Sequence, residues 1–142
     1  MVGRRQDGIV RSILQELYVD HLVFRVRDLE ATRAFYGALV GAPISQSESS
    51  LIYIVRETRL LFTLSVERIT GPYDKEQPGL NHLAFGVCTP TALRELVQHL
   101  NSTGLRHSGI KVDHYGNKEF VWLDDPNGFR LEFYCRPTSP TS

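Results

Sequence analysis

The sequence predicts an α+β fold of two βαβββ modules that form a cupped, incomplete β-barrel with the helices outside. An internal repeat carries this prediction. Residues 20–26 and 81–87 lie 61 positions apart and share His, Leu, Phe and Val at equivalent places. Each segment is followed by a helix signal and then by three extended stretches. A fixed repeat of this kind indicates one structural unit used twice.

Length and composition restrict the class of protein. A chain of 142 residues is enough for one well-packed domain and too short for two independent ones. Its 16 Lys plus Arg residues balance 16 Asp plus Glu residues, so we expect binding neither to nucleic acid nor to an anionic membrane. Cys88 and Cys135 are too few for a disulfide framework and are expected to be reduced, structural thiols. A cytoplasmic protein is predicted.

The chain divides into an N-terminal appendage (1–17), a single domain (18–136) and a flexible tail (137–142). Within the domain, module 1 covers about 18–69 and module 2 about 79–136, joined by a linker over 70–78. Apolar residues in the appendage have helical spacing, which predicts a short amphipathic helix, with an extra edge strand as the open alternative. These residues are Ile9, Val10, Ile13, Leu14 and Leu17.

Each module has one helix with recognisable ends. Asp28 is the expected N-cap of the first helix, and Thr89 followed by Pro90 is the expected start of the second. Gly41 and Gly104 stand where the two helices are expected to end.

Three strands are expected after each helix. They are predicted at 42–47, 50–56 and 59–67 in module 1 and at 108–114, 119–124 and 129–135 in module 2. The sequence Asp-Pro-Asn-Gly at 125–128 is a strong turn signal between the last two.

Strand alternation places three metal-ligand side chains on one kind of surface. If the apolar residues of the first strand, of its repeat and of the last strand face the helices, then His21, His82 and Glu132 face away from them. In a cupped sheet that opposite face lines the cavity. Two imidazoles and one carboxylate suit Fe, Mn, Zn, Ni or Co and leave coordination positions open for a substrate.

The chain resembles the vicinal oxygen chelate superfamily, which includes glyoxalase I, fosfomycin-resistance thiol transferases, bleomycin-binding proteins and extradiol dioxygenases. The resemblance covers about residues 18–136. Its most specific part is the block Asp-Pro-Asn-Gly-Phe-Arg-Leu-Glu-Phe at 125–133, and the segments 20–24 and 79–85 also match. The resemblance implies one divalent metal held by His21, His82 and Glu132, and a homodimer.

The same resemblance suggests further site residues. Glyoxalase I commonly adds a glutamate from the last strand of module 1. Aligning the two hairpins by sequence places Thr63 opposite Glu132, so three protein ligands are expected. His114 and Tyr115 are the candidates for proton transfer. Lys111 and Thr63 are candidates for substrate binding on the same grounds, and Arg25 and Tyr134 are candidates because strand alternation puts them on the cavity face.

These residues support a metal-dependent enzyme acting on a small substrate that chelates the metal through two oxygens. Its reaction would be of lyase or isomerase, thiol transferase or dioxygenase type. The main alternative is a metal-free protein of the same fold that binds a metabolite or sequesters a drug. A weaker alternative is an interaction subunit whose cavity is filled by side chains.

Overall fold

A computed structural model describes residues 3–65 and 71–137 of the chain. Its elements, in chain order, are α1 (Gly3–Glu16), β1 (His21–Val26), α2 (Leu29–Val40), β2 (Ser45–Gln46), β3 (Ser50–Val55), β4 (Thr58–Leu64), β5 (His82–Val87), α3 (Pro90–Ser102), β6 (Lys111–Asp113), β7 (Lys118–Asp124) and β8 (Arg130–Cys135).

The appendage forms the helix α1, so the alternative of an edge strand is wrong. Val10, Ile13 and Leu14 on this helix, and Leu17 just after it, are all more than half exposed. No helix within residues 3–65 and 71–137 is long and apolar enough to cross a membrane.

The two module helices begin at the predicted caps. The Asp28 side chain accepts a hydrogen bond from Ala31 N at 3.0 Å, and Thr89 Oγ1 accepts one from Ala92 N at 3.1 Å. Both bonds satisfy amides that a helix leaves unpaired in its first turn. Because β1 and β5 each end two residues before such a cap, the chain leaves each strand and turns at once into its helix.

The eight strands form two separate four-stranded mixed sheets. The first sheet has the order β1-β4-β3-β2 and the second has the order β5-β8-β7-β6. In each sheet the first strand of the module pairs in parallel with the last, and the remaining pairs are antiparallel. The described residues contain no closed barrel, and the predicted α+β fold of two βαβββ modules is confirmed.

Two strands are shorter than predicted. β2 is only two residues long, where 42–47 was expected, because Pro43 has no amide to donate to a ladder. β6 is three residues long, where 108–114 was expected, because Gly109 has a φ of 73° that interrupts the extended backbone. The predicted end of the fourth strand at 67, the start of the linker at 70 and most of the tail lie outside the described residues.

The two modules share a packed core. Phe24 of β1 lies 5.1 Å, centroid to centroid, from Phe129, which directly precedes β8. The α3 side chain of His99 donates from Nε2 to the carbonyl of Ala38 in α2 at 2.6 Å. The cysteines are both free, with Cys135 buried in this core and Cys88 exposed. These contacts hold the helices of the two modules side by side and leave one face of each sheet without a helix, which we call its open face.

Candidate functional site

The open face of the second sheet forms a cavity. Alternation along β5 and β8 brings His82 and Glu132 to this face, and the neighbouring β5 positions, Ala84 and Gly86, have little or no side chain. The cavity has a volume of about 620 Å³. Its lining residues are His82, Ala84, Phe85, Gly86, Asp113, Phe120, Glu132, Tyr134 and Arg136, all from module 2. The space above β5 is therefore open because the strand carries small residues there.

His82 and Glu132 meet at one end of the cavity. His82 Nε2 lies 3.5 Å from Glu132 Oε2. His82 Nδ1 lies 2.8 Å from the amide oxygen of Asn81, which accepts a hydrogen bond and so requires the proton on Nδ1. In this tautomer Nε2 has a free lone pair, and it lies beside the carboxylate. A metal bonded to both atoms at about 2.0–2.2 Å would hold them about 3–3.5 Å apart, so the pair fits two adjacent ligands.

His21, on the first sheet, has its ring nitrogen Nδ1 hydrogen-bonded in the same way. Its Nδ1 lies 2.7 Å from Asp20 Oδ2, and this hydrogen bond lowers the pKa of the Asp20 carboxyl. The bond again leaves Nε2 free. The His21 side chain is 54% exposed and lies on the open face of the first sheet. Each histidine thus follows an Asp or Asn whose side-chain oxygen bonds Nδ1 and orients the ring, as is typical of imidazoles that bind a metal through the other nitrogen.

A single chain does not bring the three predicted ligands together. Among residues 3–65 and 71–137, no three His, Cys, Asp or Glu side chains form a group that could hold a metal ion. His82 and Glu132 are paired, and His21 does not line their cavity.

The sequence matches the model of the Glyoxalase/Bleomycin resistance protein/Dioxygenase superfamily over residues 18–133. The uncharacterized protein YaeR of Escherichia coli K12 is 32% identical over 130 residues, which cover 82% of this chain and 94% of that protein. The chain belongs to this superfamily.

Solved structures of the superfamily share the fold. A glyoxalase family protein from Enterococcus faecalis is similar with a TM-score of 0.69 at 24% identity, covering 82% of this chain and 96% of that one. The lactoylglutathione lyase of Agrobacterium tumefaciens is similar with a TM-score of 0.65 at 16% identity, covering 83% of this chain and 92% of that one. Both likenesses concern the fold alone.

Strand register corrects one part of the sequence alignment for this superfamily member. In the second sheet Ala84 pairs with Glu132, and in the first sheet the equivalent residue Val23 pairs with Leu61. Leu61, and not Thr63, therefore occupies the position that matches Glu132. Thr63 instead pairs with Arg25, one row further along the open face. An apolar residue at the matching position leaves the expectation of three protein ligands unchanged.

The predicted substrate-binding residues lie in two places. Tyr134 lines the cavity beside Glu132. Lys111 is exposed and pairs with Phe120, which puts it in the same row as Tyr134 on the open face. Arg25 lines a different pocket, of about 240 Å³, at the β1 edge of the first sheet.

The predicted proton-transfer residues lie in the turn after β6. The Tyr115 side chain is fully exposed, and neither it nor His114 lines the cavity. Their assignment stays a prediction.

Asp113, directly before this turn, was missed by the sequence reasoning. Its Oδ2 accepts a hydrogen bond from the Tyr134 hydroxyl at 2.8 Å, and its Oδ1 accepts one from Tyr115 N at 2.9 Å. The bond from Tyr115 N, together with that from Tyr134, holds the pKa of the Asp113 carboxyl below its usual value. The same bond to Asp113 raises the pKa of the Tyr134 hydroxyl. Alternation from Lys111 to Asp113 along β6 was the signal that could have found it.

Two arginines lie on the Glu132 face at the two ends of β8. Arg130 is already engaged, because its Nε and Nη2 donate to Asp124 at 2.8 and 3.1 Å and its guanidinium lies 3.7 Å from the centre of the Trp122 ring. Arg136 lies at the other end, with its guanidinium carbon 5.0 Å from the centre of the Tyr134 ring. Strand alternation places Arg130 on this face, and extending it one step beyond Tyr134 would have named Arg136, which the sequence reasoning missed.

Proposed function

We propose that this superfamily member is a metal-dependent enzyme acting on a small substrate that binds the metal through two oxygens. The proposed protein ligands are His21, His82 and Glu132. The observation that carries the proposal is the matched orientation of the two histidines. Each has its Nδ1 proton held by the residue before it, Asp20 or Asn81, so each presents Nε2 as a donor.

The donor set restricts the metal. Two imidazole nitrogens and one carboxylate oxygen suit Fe, Mn, Zn, Ni or Co. Metals that prefer thiolate ligands, or oxygen ligands alone, do not match this set. Such a metal acts as a Lewis acid that polarises substrate oxygens bound at its open positions. The lactoylglutathione lyase among the similar structures makes a lyase or isomerase reaction one candidate class, beside thiol transfer and dioxygenation.

The site is proposed to form between two copies of this chain. His82 and Glu132 already adjoin in one copy, whereas His21 faces away on the open face of the first sheet. That face carries apolar side chains with no helix over them, including Val23 at 54% and Ile54 at 40% exposure. A second copy that lays this open face over the cavity would bury these residues and supply His21. A two-fold homodimer would then contain two equivalent sites.

The chain's own residues in the cavity have distinct tasks in this proposal. The small residues Ala84 and Gly86 leave room for the substrate beside the ligand pair. The hydrogen-bonded pair of Asp113 and Tyr134 lines the cavity, where its oxygens can hydrogen-bond a bound substrate. His114 and Tyr115 are retained as proposed proton-transfer residues that would act only if their turn folds over the cavity.

Metal analysis of full-length protein purified without chelator tests the proposal. About one equivalent of a divalent transition metal per chain is expected, and Glu132→Ala or His82→Ala should remove most of it. His107→Ala is the matched control, because His107 bonds Asn101 away from the cavity and its loss should leave the metal content unchanged. Less than about a tenth of an equivalent in the wild type, with no uptake of Fe, Mn, Ni or Zn, would contradict the proposal and favour a metal-free binding protein.

A further inference from the structure

The cavity extends well beyond the proposed metal ligands along β8. Glu132, Tyr134 and Arg136 follow one another at every second position, so all three face the cavity, and successive members are about 7 Å apart along the strand. The Arg136 guanidinium lies over the Tyr134 ring, at 5.0 Å. Arg136 is two such steps from Glu132 along the chain, but its guanidinium lies over the ring of Tyr134, which is one step from Glu132 and lines the same cavity.

The hydrogen-bonding capacity of Arg136 is unused within residues 3–65 and 71–137. No described carboxylate lies within 4.0 Å of its guanidinium, and within the described part of the chain the residue donates a hydrogen bond from its backbone amide to Val87 O. The nearby carboxylate of Asp113 is taken by Tyr134 and by Tyr115 N.

Arg130 is a useful comparison for Arg136, because its guanidinium is engaged by neighbouring side chains. It has the same face and the same strand as Arg136, but Asp124 holds two of its nitrogens and Trp122 covers its flat side. Arg136 has the stacking contact and lacks the carboxylate. A planar guanidinium that lies on an aromatic ring and lines a cavity matches the two oxygens of a carboxylate or phosphate.

We infer that Arg136, seated on Tyr134, binds an oxyanion group of the substrate while the metal holds two adjacent oxygens at the other end. The inference rests on the proposed function and adds a substrate class to it. The substrate is a small molecule with two vicinal oxygens and a carboxylate or phosphate about 7 Å from the metal, the spacing of alternate residues on a strand.

A pair of 2-oxo acids tests this directly. 2-Oxoglutarate and 2-oxovalerate have five carbons each and chelate a divalent metal through the same carboxylate and keto oxygens. Only 2-oxoglutarate has a second carboxylate, three carbon–carbon bonds of about 1.5 Å beyond the keto carbon. Calorimetric titration of both into Co²⁺-loaded, full-length protein at constant ionic strength gives their dissociation constants.

The wild type should bind 2-oxoglutarate about tenfold more tightly than 2-oxovalerate, as expected for one charge-assisted pair. Arg136→Gln should abolish this preference and leave the affinity for 2-oxovalerate unchanged. Arg136→Lys, which keeps the charge without the two-pronged geometry, should retain a smaller preference. Arg27→Gln is the matched control, since Arg27 is an exposed arginine at a different cavity, and it should keep the full preference.

Equal affinities for the two acids in the wild type, or a preference that survives in Arg136→Gln, would overturn the assignment of Arg136 as the oxyanion-binding residue. Binding of 2-oxovalerate in the same experiment would still support the metal site. If Co²⁺ is not retained, or if neither acid binds, the proposed function fails and the oxyanion site falls with it. Replacing 2-oxoglutarate by 2-oxo-4-phosphonobutyrate then distinguishes a carboxylate from a phosphate preference at Arg136.

Discussion

The hydroxyl of Tyr36 donates a hydrogen bond to Oδ2 of Asp125 at 2.8 Å, joining residues 89 positions apart. Tyr36 lies in α2 of module 1 and is 1% exposed, and Asp125 opens the turn before β8 of module 2 and is 5% exposed. Asp125 also accepts bonds from Asn127 N, Asn127 Nδ2 and Phe129 N. The turn that precedes the Glu132 strand is thereby tied to the helix of the other module.

Tyr36→Phe should lower the free energy of unfolding by about 1–3 kcal/mol, because it removes a donor from a buried carboxylate. Tyr53→Phe is the control. Tyr53 is equally buried, but its hydroxyl reaches the Arg33 carbonyl only at 3.5 Å, so its loss should cost about 0.5 kcal/mol or less. Urea unfolding of both variants measures the difference, and equal losses would contradict a special role for the Tyr36 bond.

The Asp125 carboxyl should make stability depend on pH. Burial raises the pKa of Asp125 despite its hydrogen bonds. A carboxyl whose pKa is higher in the folded chain holds its proton more tightly there, so its contribution to the free energy of unfolding falls as pH rises from about 4 through the raised pKa. Asp125→Asn removes this titration.

The wild type should therefore lose stability relative to the Asp125→Asn variant over that pH range, on top of a constant offset from the altered hydrogen bonds. Urea unfolding of both proteins at a series of pH values gives the difference. A difference that is constant, or that grows in favour of the wild type as pH rises, would show that Asp125 does not titrate as stated.

The features that depend on local sequence were predicted correctly. The caps at Asp28 and Thr89 depend on a side chain and an amide three residues apart, and the inward set of Leu22, Phe24 and Val26 depends on strand alternation. Both rules act within a few residues, and no distant part of the chain is needed to apply them.

Features that depend on contacts between distant parts of the chain could not be predicted from local sequence rules. The relation between the two sheets is set by contacts such as Phe24 with Phe129 and Tyr36 with Asp125, which no periodicity reveals. Alternation also fails beyond Asp113, because Asn117 N bonds back to the Asp113 carbonyl at 2.7 Å and the chain turns. The family resemblance pointed to the turn residues His114 and Tyr115, and the cavity-lining Asp113 was missed.

Two glycines should respond in opposite ways to alanine. Gly37 lies inside α2, where an added Cβ meets nothing within 4 Å, so Gly37→Ala should stabilise the protein by about 0.5–1 kcal/mol. At Gly116 a Cβ would lie 3.0 Å from the Tyr134 hydroxyl oxygen, so Gly116→Ala should destabilise it by about 1 kcal/mol and loosen the bond to Asp113. Thermal unfolding gives both signs, and a stabilising Gly116→Ala would place Tyr134 elsewhere.

A mixing experiment tests whether one metal site uses two chains. His21→Ala and Glu132→Ala each remove a ligand from every site, so either variant alone should bind little metal. In a mixed dimer the intact His21 of the Glu132→Ala chain meets the intact His82 and Glu132 of the other chain, and one of the two sites is restored. Random pairing of equal amounts should therefore recover about a quarter of an equivalent of metal per chain.

The two variant chains are co-refolded, and the bound metal is measured after gel filtration. Two copies of the same variant, co-refolded in parallel, are the control. No recovery in the mixture, despite metal binding by the wild type, would place all three ligands within one chain.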